Sequence, residues 1–316
     1  MEENLSILRL AIALGIMSYA AVLDWRTRLA PNKVWIIMGS IAIAALLFEL
    51  LYYDLQLGSD MLAEGGEIIT GSGISNPALY LVFIPIGIFF FDTFWDREPV
   101  YHDGKVNFLP ILLYIIGLLA MALMLYFGGL GELTLCLLSV PVMLIVFIIF
   151  YYARLIHGGA DAKALMALAI LFPFYPQLLD LPLINAELTI MNYAFPFAFL
   201  ILMNAAIIQV AIVPISLFFK NLANKDFGFP EMFLGYRMDL HEVPKKFVWP
   251  MQKVMDGEMV LVMFPKRGGS VKEDLRALKA AGADRIWVTP KVPFIIPMLL
   301  GIVFSVVVGN LVMLFF

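Results

Sequence analysis

Cysteine is almost missing from this chain of 316 residues, with Cys136 the single one. That excludes an internal disulfide framework and a paired CxxC zinc site. Charge is scarce as well: Asp, Glu, Lys and Arg make up 15% of the residues, against roughly a quarter in an ordinary soluble domain. No glycine-rich phosphate loop, nucleotide fingerprint or serine-nucleophile motif occurs, so no cofactor is implied. Metal ligation is poorly served too, because no two of His102, His157 and His241 stand at ligand spacing. The first residues, Met1 to Asn4, lack the basic stretch that opens a cleaved signal peptide. The first apolar run is therefore expected to be retained as a span.

Apolar residues are what the chain has in excess. They make up 62% of it, the mean hydropathy is +0.91, and the expected fold class is an all-α polytopic membrane protein. A bilayer core about 30 Å thick takes about 20 apolar residues per helix. Runs of that kind recur eight times, at residues 5–23, 33–53, 77–94, 107–127, 134–152, a shorter 161–175, 194–219 and 293–316. Pro85, Pro141, Pro196 and Pro214 fall inside spans, where neighbouring helices or waters can satisfy the freed carbonyls.

The cations divide sharply between the loops. Of the 21 Lys and Arg residues, twenty fall in the odd-numbered loops, thirteen of them between Lys220 and Lys291, and only Arg9 is left over. The opposite loops hold no Lys or Arg but carry Asp54, Asp60, Glu64, Glu67, Glu132, Asp180 and Glu187. The positive-inside rule then predicts odd-numbered loops in the cytoplasm and both termini outside the cell membrane. Three parts follow: a transmembrane region of seven helices at 1–219, a small cytoplasmic α/β domain at 220–291, and a last transmembrane helix at 292–316. In the α/β domain, residues 258–264 read as a buried strand and Arg285 to Thr289 as a second. Between them Ser270 and Glu273 form a capping box that opens a helix ending at Gly282. Its cations read as a solvated surface facing the membrane lipids, not as a nucleic-acid site.

One acid stands apart from the loop charges. In His157-Gly158-Gly159-Ala160-Asp161-Ala162-Lys163 a carboxylate follows two glycines at the start of an apolar helix. Apolar stretches on both sides set it at or just inside a membrane surface, where an ionisable group is costly and points to function. The glycines let the backbone turn and another chain approach closely. The plainer reading is an acid in a first helical turn, favoured by the macrodipole and the free amides. Asp24 ends the first span on the same face, in Asp24-Trp-Arg-Thr-Arg-Leu-Ala-Pro31-Asn32. Two close carboxylates share a proton, so one can take a proton from water while the other polarises a carbonyl. That is the minimum equipment of an aspartic protease. The plainer reading of Asp24 is an interfacial acid paired with Arg26 or Arg28. Asp92 and Asp96 also lie near this face, and either offers Asp161 another partner.

The segment from Asp24 through the basic stretch to Pro31 and Asn32 resembles the first catalytic motif of the type IV prepilin and preflagellin peptidases. Gly158-Gly159-Ala160-Asp161-Ala162-Lys163 resembles their second, GxGD-type motif, with Ala160 where a second motif glycine would fall, a form similar to the archaeal branch. Residues 288–297 also look archaeal, while 54–135 match neither motif. The resemblance implies a membrane aspartic endopeptidase with Asp24 and Asp161 as the catalytic pair and Gly158, Gly159, Ala160, Lys163, Pro31 and Asn32 in supporting places. Its substrates would be precursors of pilin-like proteins and archaellins, cut between a basic leader and a hydrophobic helix at the cytoplasmic face. The resemblance implies no metal. Bacterial relatives with methyltransferase activity carry a paired-CxxC domain, which one cysteine cannot supply. Two other readings compete: a presenilin-like protease using Asp161 with Asp92, and a transporter whose membrane acids relay protons or bind cations. Acids at span ends and the absence of an evident repeat count against the transporter.

Overall fold

The computed structural model describes residues 2–63, 76–95, 101–102, 105–156, 158–176, 178–179, 181–183, 196–255, 257–263 and 271–309. Asp96, His157, the loop acids Glu64, Glu67, Asp180 and Glu187, the capping-box Ser270 and the last seven residues of the final span lie outside them. The chain forms two compact units, one of residues 1–205 with 294–316 and one of residues 206–293.

The first unit is helical. Its elements are α1 (Glu2–Thr27), α2 (Asn32–Ala63), a 3-10 turn (Pro77–Val82) leading into α3 (Phe83–Asp92), a short hairpin of β1 (Tyr101–His102) and β2 (Lys105–Val106), α4 (Phe108–Gly128), α5 (Glu132–Tyr152) and α6 (Gly159–Leu171). The first residues of α7 (Phe197–Asn224) and all of α10 (Ile295–Val307) complete it. Among the described residues, five helices are long and apolar enough to cross a membrane: Glu3–Thr27, Asn32–Tyr52, Phe108–Gly128, Glu132–Tyr152 and Phe197–Asn224. The other three expected spans are shorter where they are described. The third opens as a 3-10 turn because Pro77 follows Asn76, whose side chain accepts from the Ala78 N–H. The sixth stops at Leu171 because Phe172 precedes Pro173 and leaves the helical region at φ −121°. Its 13 residues reach only about 20 Å at about 1.5 Å per residue.

Helix α6 is the centre of this unit. Ala162 and every residue from Ala164 to Leu171 are buried, which explains why its sequence shows no polar face: a helix apolar all round is a buried one. Helices α2, α3 and α5 pack against it, and its alanines let them come close. Asp161 thus stands at the head of the helix that the others surround.

The leftover Arg9 is also accounted for. It is 4% exposed and donates to Glu49 of α2 at 2.6 Å. Removing one partner strands a buried charge, at a typical cost of about 3–5 kcal/mol, whereas an apolar replacement of both is often neutral. Arg9→Leu and Glu49→Leu should therefore each lower the thermal midpoint clearly, and the double variant should recover most of the loss. Additive losses in the double variant would show that the pair is not coupled.

The second unit begins within α7 and contains α8 (Glu231–Leu234), β3 (Tyr236–Asp239), β4 (Val248–Pro250), β5 (Gln252–Met255), β6 (Glu258–Leu261), α9 (Val271–Ala280) and β7 (Arg285–Pro290). Strand β7 lies between β3 and β4, antiparallel to both. The end of α9 follows expectation: Gly282, at φ +82°, donates to Lys279 while Ala283 donates to Leu278, closing a Schellman motif. The expected buried strand at 258–264 needs correction. Strand β6 is an arm of a separate hairpin with β5, and Met259 and Val260 are exposed. An apolar run without alternation cannot say which face is buried. The turn that decides it is held by Gly257 in the left-handed region, at φ +85°.

Candidate active site

Asp24 sits in the last turn of α1 and is half-buried. The turn after it is made by Arg28, a non-glycine residue in the left-handed region at φ 58°, whose N–H returns to the Asp24 carbonyl at 2.9 Å. That contact ends the helix as a left-handed cap and fixes the Asp24 backbone. Burial holds the Arg28 guanidinium below its ordinary pKa, and the Asp24 carboxylate works in the opposite direction. The interaction with Arg28 expected of an interfacial acid is therefore present. Pro31 then opens α2, its carbonyl accepting the Val34 N–H at 3.0 Å.

The second motif is entered in a similar way. Helix α5 ends at Tyr152, and Arg154 again takes a left-handed φ of 58°. Gly158 is the N-cap of α6, Gly159 its first residue, Ala160 is packed on the core, and Asp161 is third in the helix. A carboxylate there meets the free amides and the positive end of the macrodipole. The two glycines differ in what surrounds them. Gly158 has φ −96°, open to any residue, but a Cβ on it would meet the Asp161 carboxylate, 2.7 Å from its Cγ. The carboxylate is folded back over the N-cap. A Cβ on Gly159 would make only ordinary contact with the Tyr151 ring, at 3.7 Å.

The two motifs meet at one end of the helical unit. The Lys163 Nζ donates to the Asn32 Oδ1 at 2.8 Å and stands 4.9 Å from the centre of the Phe94 ring. The starts of α2 and α6 and the end of α3 therefore converge. Asp92 closes α3 close by and accepts a hydrogen bond from the Tyr114 hydroxyl of α4 at 2.8 Å. Neither Phe94 nor Tyr114 stands among the residues that the sequence singles out. The aromatic cluster from Phe89 to Phe94 was the only signal for the first, and nothing marked the second.

Other polar clusters lie away from this end. A cavity of about 460 Å³ borders Arg9, Glu49, Glu132 and the irregular stretch from Phe172 to Pro176, at the far ends of the same helices. In the second unit Asp239, His241 and Glu242 stand within 4.8 Å of one another. All three are exposed and Asp239 also faces Arg285 at 3.5 Å, which marks a solvated charged edge.

Comparison with known proteins gives consistent results. Residues 229–311 match the family model of the archaeal peptidase A24 C-terminus, type II. The preflagellin peptidase of Methanocaldococcus jannaschii is 28% identical over 171 residues, covering 52% of this chain and 68% of that protein. The preflagellin peptidase of Methanococcus voltae is 27% identical over 223 residues, covering 65% and 85%. An uncharacterized protein of Methanocaldococcus jannaschii is 24% identical over 297 residues, covering 92% and 88%. The chain is thus similar to archaeal preflagellin peptidases, and its C-terminal part to the archaeal peptidase A24 C-terminus.

Proposed function

We propose that this chain is a membrane aspartic endopeptidase that removes the basic leader of archaellin or pilin-like precursors, with Asp24 and Asp161 as its catalytic pair. The similarity to preflagellin peptidases supports peptidase activity on such precursors. The observation that carries the pair is the hydrogen bond between Lys163 and Asn32, which brings the two aspartate motifs to one end of the helical unit. One carboxylate, ionised, takes a proton from water. The other, protonated, donates to the scissile carbonyl, and the two exchange roles as the tetrahedral intermediate collapses. The precursor's hydrophobic helix lies among the spans and its leader remains in the cytoplasm. Incubating the purified protein with a precursor bearing a basic leader, then sequencing the new N-terminus, tests this directly. A cut within the hydrophobic helix would favour the presenilin-like alternative, and Asp92 would then become the partner to examine.

The proposed orientation places this end of the unit and the second unit in the cytoplasm. Single cysteines introduced at Asn76 and Lys246 on a background without Cys136 should react from opposite sides. An impermeant maleimide applied to intact cells should label position 76 and spare 246. Labelling of position 246 from outside would reverse the orientation.

A further inference from the structure

Lys163 is two residues beyond Asp161, and on a helix such neighbours point to different faces. Its ammonium group does not reach the carboxylate's side of α6. It crosses instead to α2 and α3, with the Asn32 Oδ1 at 2.8 Å and the Phe94 ring at 4.9 Å. Phe94 is itself held: its ring packs edge-on against Phe90 at 5.1 Å, and Phe90 is fully buried where α3 meets Gly39 of α2. One amine on α6 therefore touches the start of α2 and the Phe94 ring just after α3, where the three helices converge. Asn32 stands eight positions after Asp24, beyond the turn that Arg28 makes.

We infer that Lys163 is a positioning residue for the proposed reaction: through Asn32 and Phe94 it fixes the first turn of α6 against α2 and α3, and so sets where the Asp161 carboxylate stands relative to Asp24. This rests on the assignment of Asp24 and Asp161 as the catalytic pair. A hydrogen bond and a ring face suit a lysine amine, which has three rotatable donors and a compact charge. Methionine would fill the same space and lose both contacts. Arginine would keep the charge and, with its planar fork, only part of the geometry.

The test is a double-mutant cycle on precursor cleavage with the full-length protein in lipid. Lys163→Met and Asn32→Ala should each lower kcat about 10-fold or more with KM changed less than about 3-fold, as the loss of a positioning contact predicts. The double variant should be no slower than the slower single, because both remove one contact. Asn32→Asp, which keeps an acceptor for the amine, should restore most of kcat. In a second arm, cysteines at positions 24 and 161 are oxidised, and Lys163→Met should lower their cross-linking yield several-fold in this inactive background. Full kcat in a folded Lys163→Met protein, a loss that adds in the double variant, or an unchanged cross-linking yield would each overturn the inference. Should positions 24 and 161 fail to cross-link even with Lys163 intact, while Asp24→Asn still cleaves, the catalytic assignment itself fails. A melting curve for each variant separates loss of fold from loss of position.

Discussion

Asp24→Asn and Asp161→Asn should each lower precursor cleavage by at least on the order of 10³-fold, and the double variant should be hardly worse than either single. Residues that act as one unit behave in this way, because removing any member disables the whole. Asparagine matches aspartate in shape and keeps an acceptor. The Arg28 N–H bonds the Asp24 backbone carbonyl, which the change leaves alone. Folding should therefore survive, and a melting curve for each variant checks it. What asparagine cannot do is take a proton from water or hand one to a carbonyl. Asp92→Asn should be mild by comparison, because the hydroxyl of Tyr114 still finds an oxygen on the amide. An inactive Asp92→Asn beside an active Asp24→Asn would move the catalytic role from α1 to α3.

The second large effect separates two adjacent glycines. Gly158→Ala should cut kcat by about 10²-fold, since a displacement of about 1 Å at a reacting group can cost that much. Its backbone is ordinary at φ −96°, so alanine brings no strain, yet the new Cβ lands on the Asp161 carboxylate. That side chain swings aside at little cost to stability, and the cost falls on its placement. Gly159→Ala meets only the Tyr151 ring at 3.7 Å and replaces glycine by a better helix former. It should leave kcat within about 3-fold and raise the thermal midpoint slightly, if it moves it at all. Equal kcat values for the two alanine variants would mean that the folded-back carboxylate is not the reacting conformation.

Much of this was legible in the chain because it is local or statistical. Apolar runs give away helices, even where the helices turn out shorter than a span. Asp161 was visible because an acid at the head of an apolar helix is rare. The partner of Arg9 was not visible, because Glu49 is 40 residues away and no periodicity links them. The contact between Lys163 and Asn32 was hidden for the same reason, the acceptor lying 131 residues earlier. The β5–β6 hairpin was missed because six apolar residues in a row look buried, and only the pairing across Gly257 shows that β6 is an outer arm. The two glycines looked equivalent in sequence, and only the position of the Asp161 side chain tells them apart.

Arg28 makes the turn after Asp24 and Arg154 the turn that ends α5 ahead of Asp161, both with φ near +58°. A side chain in that conformation costs about 1–2 kcal/mol that glycine would avoid. With the proposed orientation both cations face the inner leaflet, where anionic headgroups attract each arginine by about 1 kcal/mol near the surface. The two quantities are of one size and of opposite sign. Anionic lipid would thus add to the hydrogen bonds that already close the turns, from the Arg28 N–H to the Asp24 carbonyl at 2.9 Å and from the Arg154 N–H to the Tyr151 carbonyl at 3.1 Å. A leaflet rich in anionic headgroups holds both turns in place. An uncharged detergent would leave the turns to those hydrogen bonds, without the added attraction of the headgroups.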